Sequence, residues 1–157
     1  MDIFEKYYAL SLRYLSYRPR SEKEIRDYLM RKKSSPEIIE HVISKLNDHK
    51  FLDDGEFARM WIESRNRSKP RSQRLLRLEL KRKGIADEIL ESGIRNQELR
   101  GETDLELAKK IVSKKISKLR NMDKQDIYKK LGGMLARRGF SWDTIKQAVD
   151  ETLGEEV

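Results

Sequence analysis

Cysteine is absent from the 157-residue chain, and proline (3 residues) and glycine (8 residues) are scarce. The lack of cysteine excludes a disulfide framework, a thiolate metal site and a cysteine nucleophile. Few residues remain that would interrupt a helix, while Lys, Arg, Glu, Leu and Ile are abundant, which favours helices. No stretch alternates between apolar and polar residues in the manner of a half-buried strand. The composition therefore predicts an all-α fold.

Long apolar runs are also missing. Asp2, Glu5 and Lys6 interrupt the amino-terminal segment, which therefore predicts neither a signal peptide nor a membrane span. Hydrophobic residues make up 37% of the chain and charged residues 39%, against roughly 25% charged residues in an ordinary globular domain. We therefore expect a cytoplasmic protein with no membrane contact and a thin, surface-rich shape.

Catalytic and metal-binding patterns are scarce as well. The only histidines, His41 and His49, lack neighbouring carboxylates at metal-ligand spacing. The pair Asp53 and Asp54 could bind a divalent ion, but an acidic pair at a helix start is more often a cap that complements the helix dipole. The chain contains no glycine-rich phosphate loop and no Ser-His-Asp arrangement. These absences predict a binding protein rather than an enzyme, with no cofactor.

Positive charge is concentrated in one segment. The formal net charge is +8, and the segment 65–84 alone carries nine basic residues and one acidic residue, Glu79, so the remainder of the chain sums to zero. Such a concentration suggests a polyanionic partner, most simply nucleic acid, although it is equally compatible with a solvated helical face. We call 65–83 the basic stretch; its cations are Arg65, Arg67, Lys69, Arg71, Arg74, Arg77, Lys81, Arg82 and Lys83.

One pattern occurs three times along the chain. Leu29, Leu80 and Leu135 are equivalent, with offsets of 51 and 55 residues. The same offsets align Ile25 with Leu76 and Leu131, Ile39 with Leu90 and Ile145, and Ile43 with Ile94 and Val149. A period of about fifty residues is typical of helical repeat proteins. We expect three tandem repeats, at 1–50, 51–98 and 99–157, that form an elongated, curved array.

Local signals predict three helices in each repeat. Ser21 with Glu24 forms a capping box, and Ser35 followed by proline marks the next helix start. Gly84 and Gly139 are placed to end helices in the left-handed conformation. Other predicted N-caps are Thr103, Asp123 and Ser141. Aromatic residues at helical spacing are predicted to pack in the core: Phe51, Phe57, Trp61, Tyr128 and Trp142.

A basic pair recurs at the end of each middle helix, and the three pairs are Arg31-Lys32, Arg82-Lys83 and Arg137-Arg138. Cations there complement the negative end of the helix dipole, so folding alone accounts for the repetition. A binding role for the pairs remains an alternative.

The central segment resembles the signature of the RecX regulatory proteins. The residues that carry the resemblance are Phe51-Leu52-Asp53-Asp54, Phe57-Ala58, Trp61, Arg65, Lys69-Pro70-Arg71 and Glu79-Leu80-Lys81-Arg82-Lys83-Gly84-Ile85. Similar flanking segments are Arg20-Ser21 with Glu24-Ile25, and Arg137-Arg138-Gly139-Phe140-Ser141. The resemblance covers almost the whole chain. Two departures are Lys33 and Ser72, each of which stands where the family usually has glycine.

Membership of that family implies a monomeric regulator of DNA recombination, DNA repair and the SOS response. Such a protein binds RecA and single- and double-stranded DNA, and it usually inhibits filament extension, ATP hydrolysis and strand exchange. The array would lie along the groove of the RecA filament. Candidate residues for binding DNA or the filament are Arg65, Arg67, Lys69, Arg71, Arg74, Arg77, Lys81, Arg82, Lys83, Arg137 and Arg138.

Two other functions fit the same residues. Short three-helix units resemble transcription factors that insert a helix into the major groove, which would require a specific DNA site and a symmetric dimer. A protein-binding adaptor whose charge only maintains solubility would instead ignore DNA at physiological salt.

Overall fold

The structure, a computed structural model, describes residues 2–155. Over this range the secondary structure comprises nine α-helices and no strand. They are α1 Ile3–Tyr17, α2 Glu22–Arg31, α3 Pro36–Asp48, α4 Asp54–Ser68, α5 Gln73–Arg82, α6 Asp87–Leu99, α7 Asp104–Ile116, α8 Lys124–Arg137 and α9 Trp142–Glu155. The predicted all-α fold of three tandem three-helix repeats is confirmed. The outer ends of the predicted repeat ranges, Met1, Glu156 and Val157, lie outside the described residues.

Contacts within the chain define two compact units. The first comprises residues up to Met60 together with Leu80–Leu90, and the second comprises Trp61–Glu79 and the chain from Glu91 onward. The second repeat is therefore divided between the two units, a division that the repeat pattern does not predict. None of the helices within 2–155 is both long enough and apolar enough to span a membrane.

The first unit is built around the middle helix α2. Ile25 and Leu29, one helical turn apart, are completely buried and therefore lie on one face of α2. They pack with apolar residues of α1 and α3 and with Leu52, and the buried members from those helices are Tyr7, Ile39, Val42, Ile43 and Leu46. The predicted repeat positions thus form a single core in this unit.

The second unit has its own core, which is contributed by α7, α8 and α9. Leu131 and Leu135 of α8 pack against buried residues of α7 and α9 at helical spacing. The other buried members are Leu107, Ala108, Ile111, Val112, Ile116, Leu119, Ile127, Phe140, Ile145, Ala148 and Val149. The predicted core aromatics are confirmed only in part: Phe57 is buried, whereas Phe51 and Trp142 are 52% and 57% exposed.

Most predicted helix starts carry the expected hydrogen bonds. The capping box of Ser21 and Glu24 is present. The side chain of Ser35 accepts from the Ile38 amide at the start of α3, with proline at the first helical position. Thr103 and Ser141 accept from Glu106 and Thr144 respectively, whereas Asp123 occupies its N-cap without a capping hydrogen bond.

The left-handed positions explain one departure from the family pattern. Gly84 and Gly139 have φ of +79° and +88°, and Lys33 has φ of +66°. A Cβ at Gly139 would stand 2.4 Å from Ser72 Oγ, and one at Gly84 would stand 2.5 Å from Lys23 Cβ. Glycine at these two sites is therefore required by close packing as well as by φ. Lys33 is exposed, so its side chain faces only the conformational cost of about 1 kcal/mol.

Candidate nucleic-acid interface

The basic stretch begins on α4, crosses a short connection and continues along α5. The connection is residues 69–72, and Lys69 still donates its amide to the Arg65 carbonyl at 2.9 Å. Ser72 is buried, and its hydroxyl accepts from the Leu75 amide at 3.2 Å. This serine therefore acts as the N-cap of α5, and the departure from glycine supplies a capping group at that position.

Within the second unit, the only acidic residue of the basic stretch binds three donors. The Trp61 indole N–H donates to Glu79 Oε1 at 3.0 Å, and Arg65 Nε donates to the same oxygen at 3.3 Å. Arg71 Nη1 donates to the other carboxylate oxygen at 2.5 Å. Arg65 also lies over the Trp61 ring, 4.7 Å from its centroid. We call Trp61, Arg65, Arg71 and Glu79 the Glu79 cluster.

The Glu79 cluster is partly buried. The side chains of Arg71 and Glu79 are only 16% and 18% exposed. Its side chains come from α4, the connection and α5, so the cluster joins these three segments. Charge-assisted hydrogen bonds strengthen as solvent is excluded. Arg65 and Arg71 therefore hold the fold together in this unit, whatever else they contact.

Arg77 is also paired. Its guanidinium donates to both carboxylate oxygens of Glu91, at 2.8 and 3.1 Å. Arg26 and Glu40 form the same bidentate pair in the first repeat, and each of these residues lies 51 positions before its counterpart. The pair is thus a feature of the repeat, which links the second helix to the third.

In the second unit, three cations of the basic stretch stand apart from these pairs. Arg67, Lys69 and Arg74 are exposed, and none of them forms an ion pair with a side chain of residues 2–154. They belong to the same unit as the Glu79 cluster. We call these three residues the open cations, because their charges are available to a ligand.

A hydrogen-bonded junction brings the third basic pair to the connection in the second unit. The Ser72 amide donates to the Arg138 carbonyl at 2.9 Å, and the Gln73 amide donates to Asp104 Oδ1 at 2.9 Å. Arg137 is exposed and Arg138 is half-buried at the end of α8. The sequence separates these residues from the basic stretch by more than fifty positions, yet the fold places them beside it.

The first unit contains the equivalent junction. The Ser21 hydroxyl donates to the Lys83 carbonyl at 2.6 Å, and the Glu22 amide donates to Asp54 Oδ1 at 2.9 Å. In both units an aspartate on the first helix of one repeat caps the middle helix of the preceding repeat. Burial raises the pKa of Asp54 and of Asp104, although the accepted amide hydrogen bond acts in the opposite direction in each case.

The remaining predicted site residues lie in the first unit. Lys83 Nζ is 3.5 Å from Glu24 Oε2, and Lys81 Nζ is 3.8 Å from Asp87 Oδ1. Burial would raise the pKa of Glu24, but hydrogen bonds from Arg18 and the Ser21 amide, with the charges of Arg18 and Lys83, leave it lowered. Arg82 is exposed. Eight of the eleven predicted residues therefore belong to the second unit and three to the first.

Family models match the chain in three consecutive places. The first three-helix domain of RecX matches residues 8–46, the second matches 53–94 and the third matches 102–149. The chain belongs to the RecX family. The resemblance inferred from the central signature is therefore confirmed across all three repeats.

Curated relatives carry the name regulatory protein RecX. That of Bacillus subtilis is 33% identical over 150 residues, which cover 96% of this chain and 56% of the relative. That of Streptomyces lividans is 31% identical over 155 residues, which cover 99% of this chain and 81% of the relative. The chain thus spans little more than half the length of the Bacillus protein.

Solved RecX structures share the fold. The crystal structure of RecX from Lactobacillus salivarius has a TM-score of 0.77 with 26% identity, and the match covers 95% of this chain and 96% of that one. A second RecX crystal structure has a TM-score of 0.73 with 25% identity, over 94% of this chain and 71% of that one. The three-helix repeats are therefore the architecture of the family.

Proposed function

We propose that this protein binds RecA assembled on DNA and limits the extension of the RecA filament. The observation that carries the proposal is membership of a family of regulatory proteins over all three repeats. The action is binding without turnover, by a monomer in the cytoplasm. Its cellular setting is the regulation of recombination and DNA repair, including the SOS response.

The tandem construction suits such a partner. In tandem repeat proteins each repeat contacts mainly its neighbours, and such proteins use extended surfaces to bind their partners. The repeats that we propose as binding units are 1–50, 51–98 and 99–157. A regulator bound in this manner would obstruct the addition of RecA subunits or the entry of a second DNA strand.

The charges of the second unit support contact with DNA in the filament. The open cations are exposed on the unit that also contains Arg137 and Arg138. Exposed cations with no internal partner can replace the counterions of phosphates without breaking a bond that the fold uses. Among the cations of the basic stretch that lie in the second unit, we therefore assign the main DNA contacts to the open cations, and Arg65, Arg71 and Arg77 to supporting positions.

The proposal is tested by titrating the protein into RecA on single-stranded DNA while ATP hydrolysis and strand exchange are measured. We expect inhibition at well below one molecule per RecA subunit, because few blocked sites suffice to stop the growth of a polymer. The triple variant Arg67→Ala, Lys69→Ala, Arg74→Ala lacks the proposed DNA contacts and should inhibit more weakly than the wild type. RecA activities that remain unchanged with the protein in excess would refute the proposed function.

A further inference from the structure

The outward face of α8 carries a group of cations that the basic stretch does not include. Ile127, Leu131 and Leu135 fix the inward face, since all three are buried. Lys129, Gly133 and Arg137 follow one another at intervals of four residues, so they share a face of the helix. Lys129, Lys130 and Arg137 are exposed, and Gly133 is half-buried.

These cations form no ion pair with the side chains that the structure describes. The side chains described are those of residues 2–154, and none of them forms an ion pair with Lys129, Lys130 or Arg137. The nearest acid on the same face is Asp126, which lies in the first turn of α8, where a negative charge complements the helix dipole. The charged residues in the last two turns of this face are therefore all basic.

The middle helix of the first repeat provides a comparison at equivalent positions. With the summed offset of 106 residues, Lys129 corresponds to Lys23 and Arg137 to Arg31, while Gly133 corresponds to Asp27. In α2, Lys23 Nζ is 2.8 Å from Asp27 Oδ2. The first repeat thus neutralises this face with an acid at the central position, and the third repeat has neither the acid nor any side chain there.

Packing does not account for the glycine at 133. A Cβ there would meet only Arg137 Nη1, at an ordinary contact distance of 3.5 Å, and the backbone is helical. The neighbouring Gly132 differs, because its Cβ would stand 3.3 Å from the Trp142 ring. Glycine destabilises a helix interior relative to alanine, and one of its uses is to let a ligand approach the backbone closely.

We propose that the outward face of α8, formed by Lys129, Lys130, Gly133 and Arg137, binds the phosphate backbone of a nucleic acid. The Cα atoms of Lys129 and Arg137 are separated by eight residues, or about 12 Å along the helix axis. That length spans roughly three to four phosphates of one strand of a duplex. The absence of a side chain at Gly133 lets the strand approach the helix between the two cations, where the Arg137 guanidinium already lies beside the glycine.

This inference rests on the proposed function, because it assigns a DNA contact to the same regulator. Its test uses oligonucleotides without RecA, so this inference and the proposed function can fail separately. Loss of DNA binding in the α8 variants would support the inference even if RecA were unaffected. Inhibition of RecA with unaltered DNA binding in those variants would support the function and refute the inference.

The test measures the affinity of the full chain for labelled single- and double-stranded oligonucleotides between about 50 and 200 mM salt. The double variant Lys129→Ala, Arg137→Ala removes two phosphate contacts. The salt slope should flatten by about 1.4 if the ligand is a single strand and by about 1.8 if it is a duplex. The fourfold rise in salt should therefore weaken DNA binding less in the variant than in the wild type. The difference is roughly sevenfold for a single strand and roughly twelvefold for a duplex.

The matched control is Lys23→Ala, Arg31→Ala, which removes the same charge at the equivalent positions of α2 and should leave the slope unchanged.

A second test changes the glycine. Gly133→Asp introduces the acid of the first repeat and should weaken DNA binding, whereas Gly133→Ala should preserve helicity and weaken DNA binding less. Circular dichroism checks that each variant is folded. Equal slopes for the two double variants, or wild-type affinity for Gly133→Asp, would overturn the proposal.

Discussion

The basic stretch contains two kinds of cation that its sequence does not distinguish. Arg65 and Arg71 converge on Glu79 and are partly buried with it, whereas Arg67 and Arg74 are exposed without a partner among the described residues. All four belong to one unit. Net charge counts them equally, although the first two stabilise the fold and the second two are available to a ligand.

Under the proposed function, this difference would let one charged segment serve both folding and DNA binding. The Glu79 cluster fixes the connection between α4 and α5, and the open cations lie before, within and after that connection. A rigid support lowers the cost of ordering the groups that bind. In the proposed function, the paired cations would therefore support DNA binding without contacting the DNA themselves.

The largest effect on stability should follow removal of the carboxylate that the paired cations share. Glu79→Gln leaves Arg65 and Arg71 without a counter-charge at a site where Arg71 is only 16% exposed. We expect a loss of about 2 kcal/mol in the free energy of unfolding, between the values typical of surface and of buried pairs. Urea denaturation measures the loss.

The matched change is Glu91→Gln, which removes the counter-charge of Arg77. Both side chains of that pair are more exposed, at 37% and 50%, so we expect a loss below about 1 kcal/mol. Equal losses for the two variants would show that the Glu79 cluster is no more important to the fold than an ordinary surface pair.

A smaller effect is expected at the junction that Arg77 faces. Burial raises the pKa of Asp104, and the Gln73 amide and the charge of Arg77 oppose that rise. Arg77→Ala should therefore raise the pKa of Asp104 further. The raised pKa means that the folded state binds a proton at Asp104 more tightly than the unfolded state does. Stability therefore falls as pH increases from about 4 through the raised pKa, and it falls further in the variant.

We expect Arg77→Ala to lose more stability than the wild type over that pH range, with a difference below about 1 kcal/mol. Nuclear magnetic resonance titration of the Asp104 carboxyl measures the pKa, and urea denaturation at the two ends of the range measures the stability. Arg74→Ala is the control, since Arg74 is an open cation. A pKa of Asp104 that is the same in both variants would contradict an electrostatic interaction between Arg77 and Asp104.

Local sequence signals predicted much of this architecture. The capping box at Ser21, the proline after Ser35 and the left-handed glycines 84 and 139 all lie where their physical chemistry requires. The repeat pattern also identified the buried face of each middle helix. These features depend on residues within one or two turns of each other, so the chain reveals them directly.

Contacts between repeats were harder to predict from the sequence. Asp54 was interpreted as a cap of its own helix, yet it accepts from the Glu22 amide of the preceding repeat. The exposure of Phe51 and Trp142 and the role of Glu79 as a shared acceptor depend on distant partners as well. One signal could have indicated the last of these, because Glu79 is the single acid among nine cations.

The central claim is that the open cations bind DNA while the fold does not need them. The direct measurement is the salt dependence of binding to single-stranded DNA for Arg67→Ala, Lys69→Ala, Arg74→Ala. Its matched control is Lys114→Ala, Lys115→Ala, Lys118→Ala, which removes three exposed charges at and just after the end of α7. We predict that the first triple flattens the salt slope by about 2, with unfolding free energy within about 0.5 kcal/mol of the wild type. Equal flattening by both triples, or none by the first, would contradict the claim.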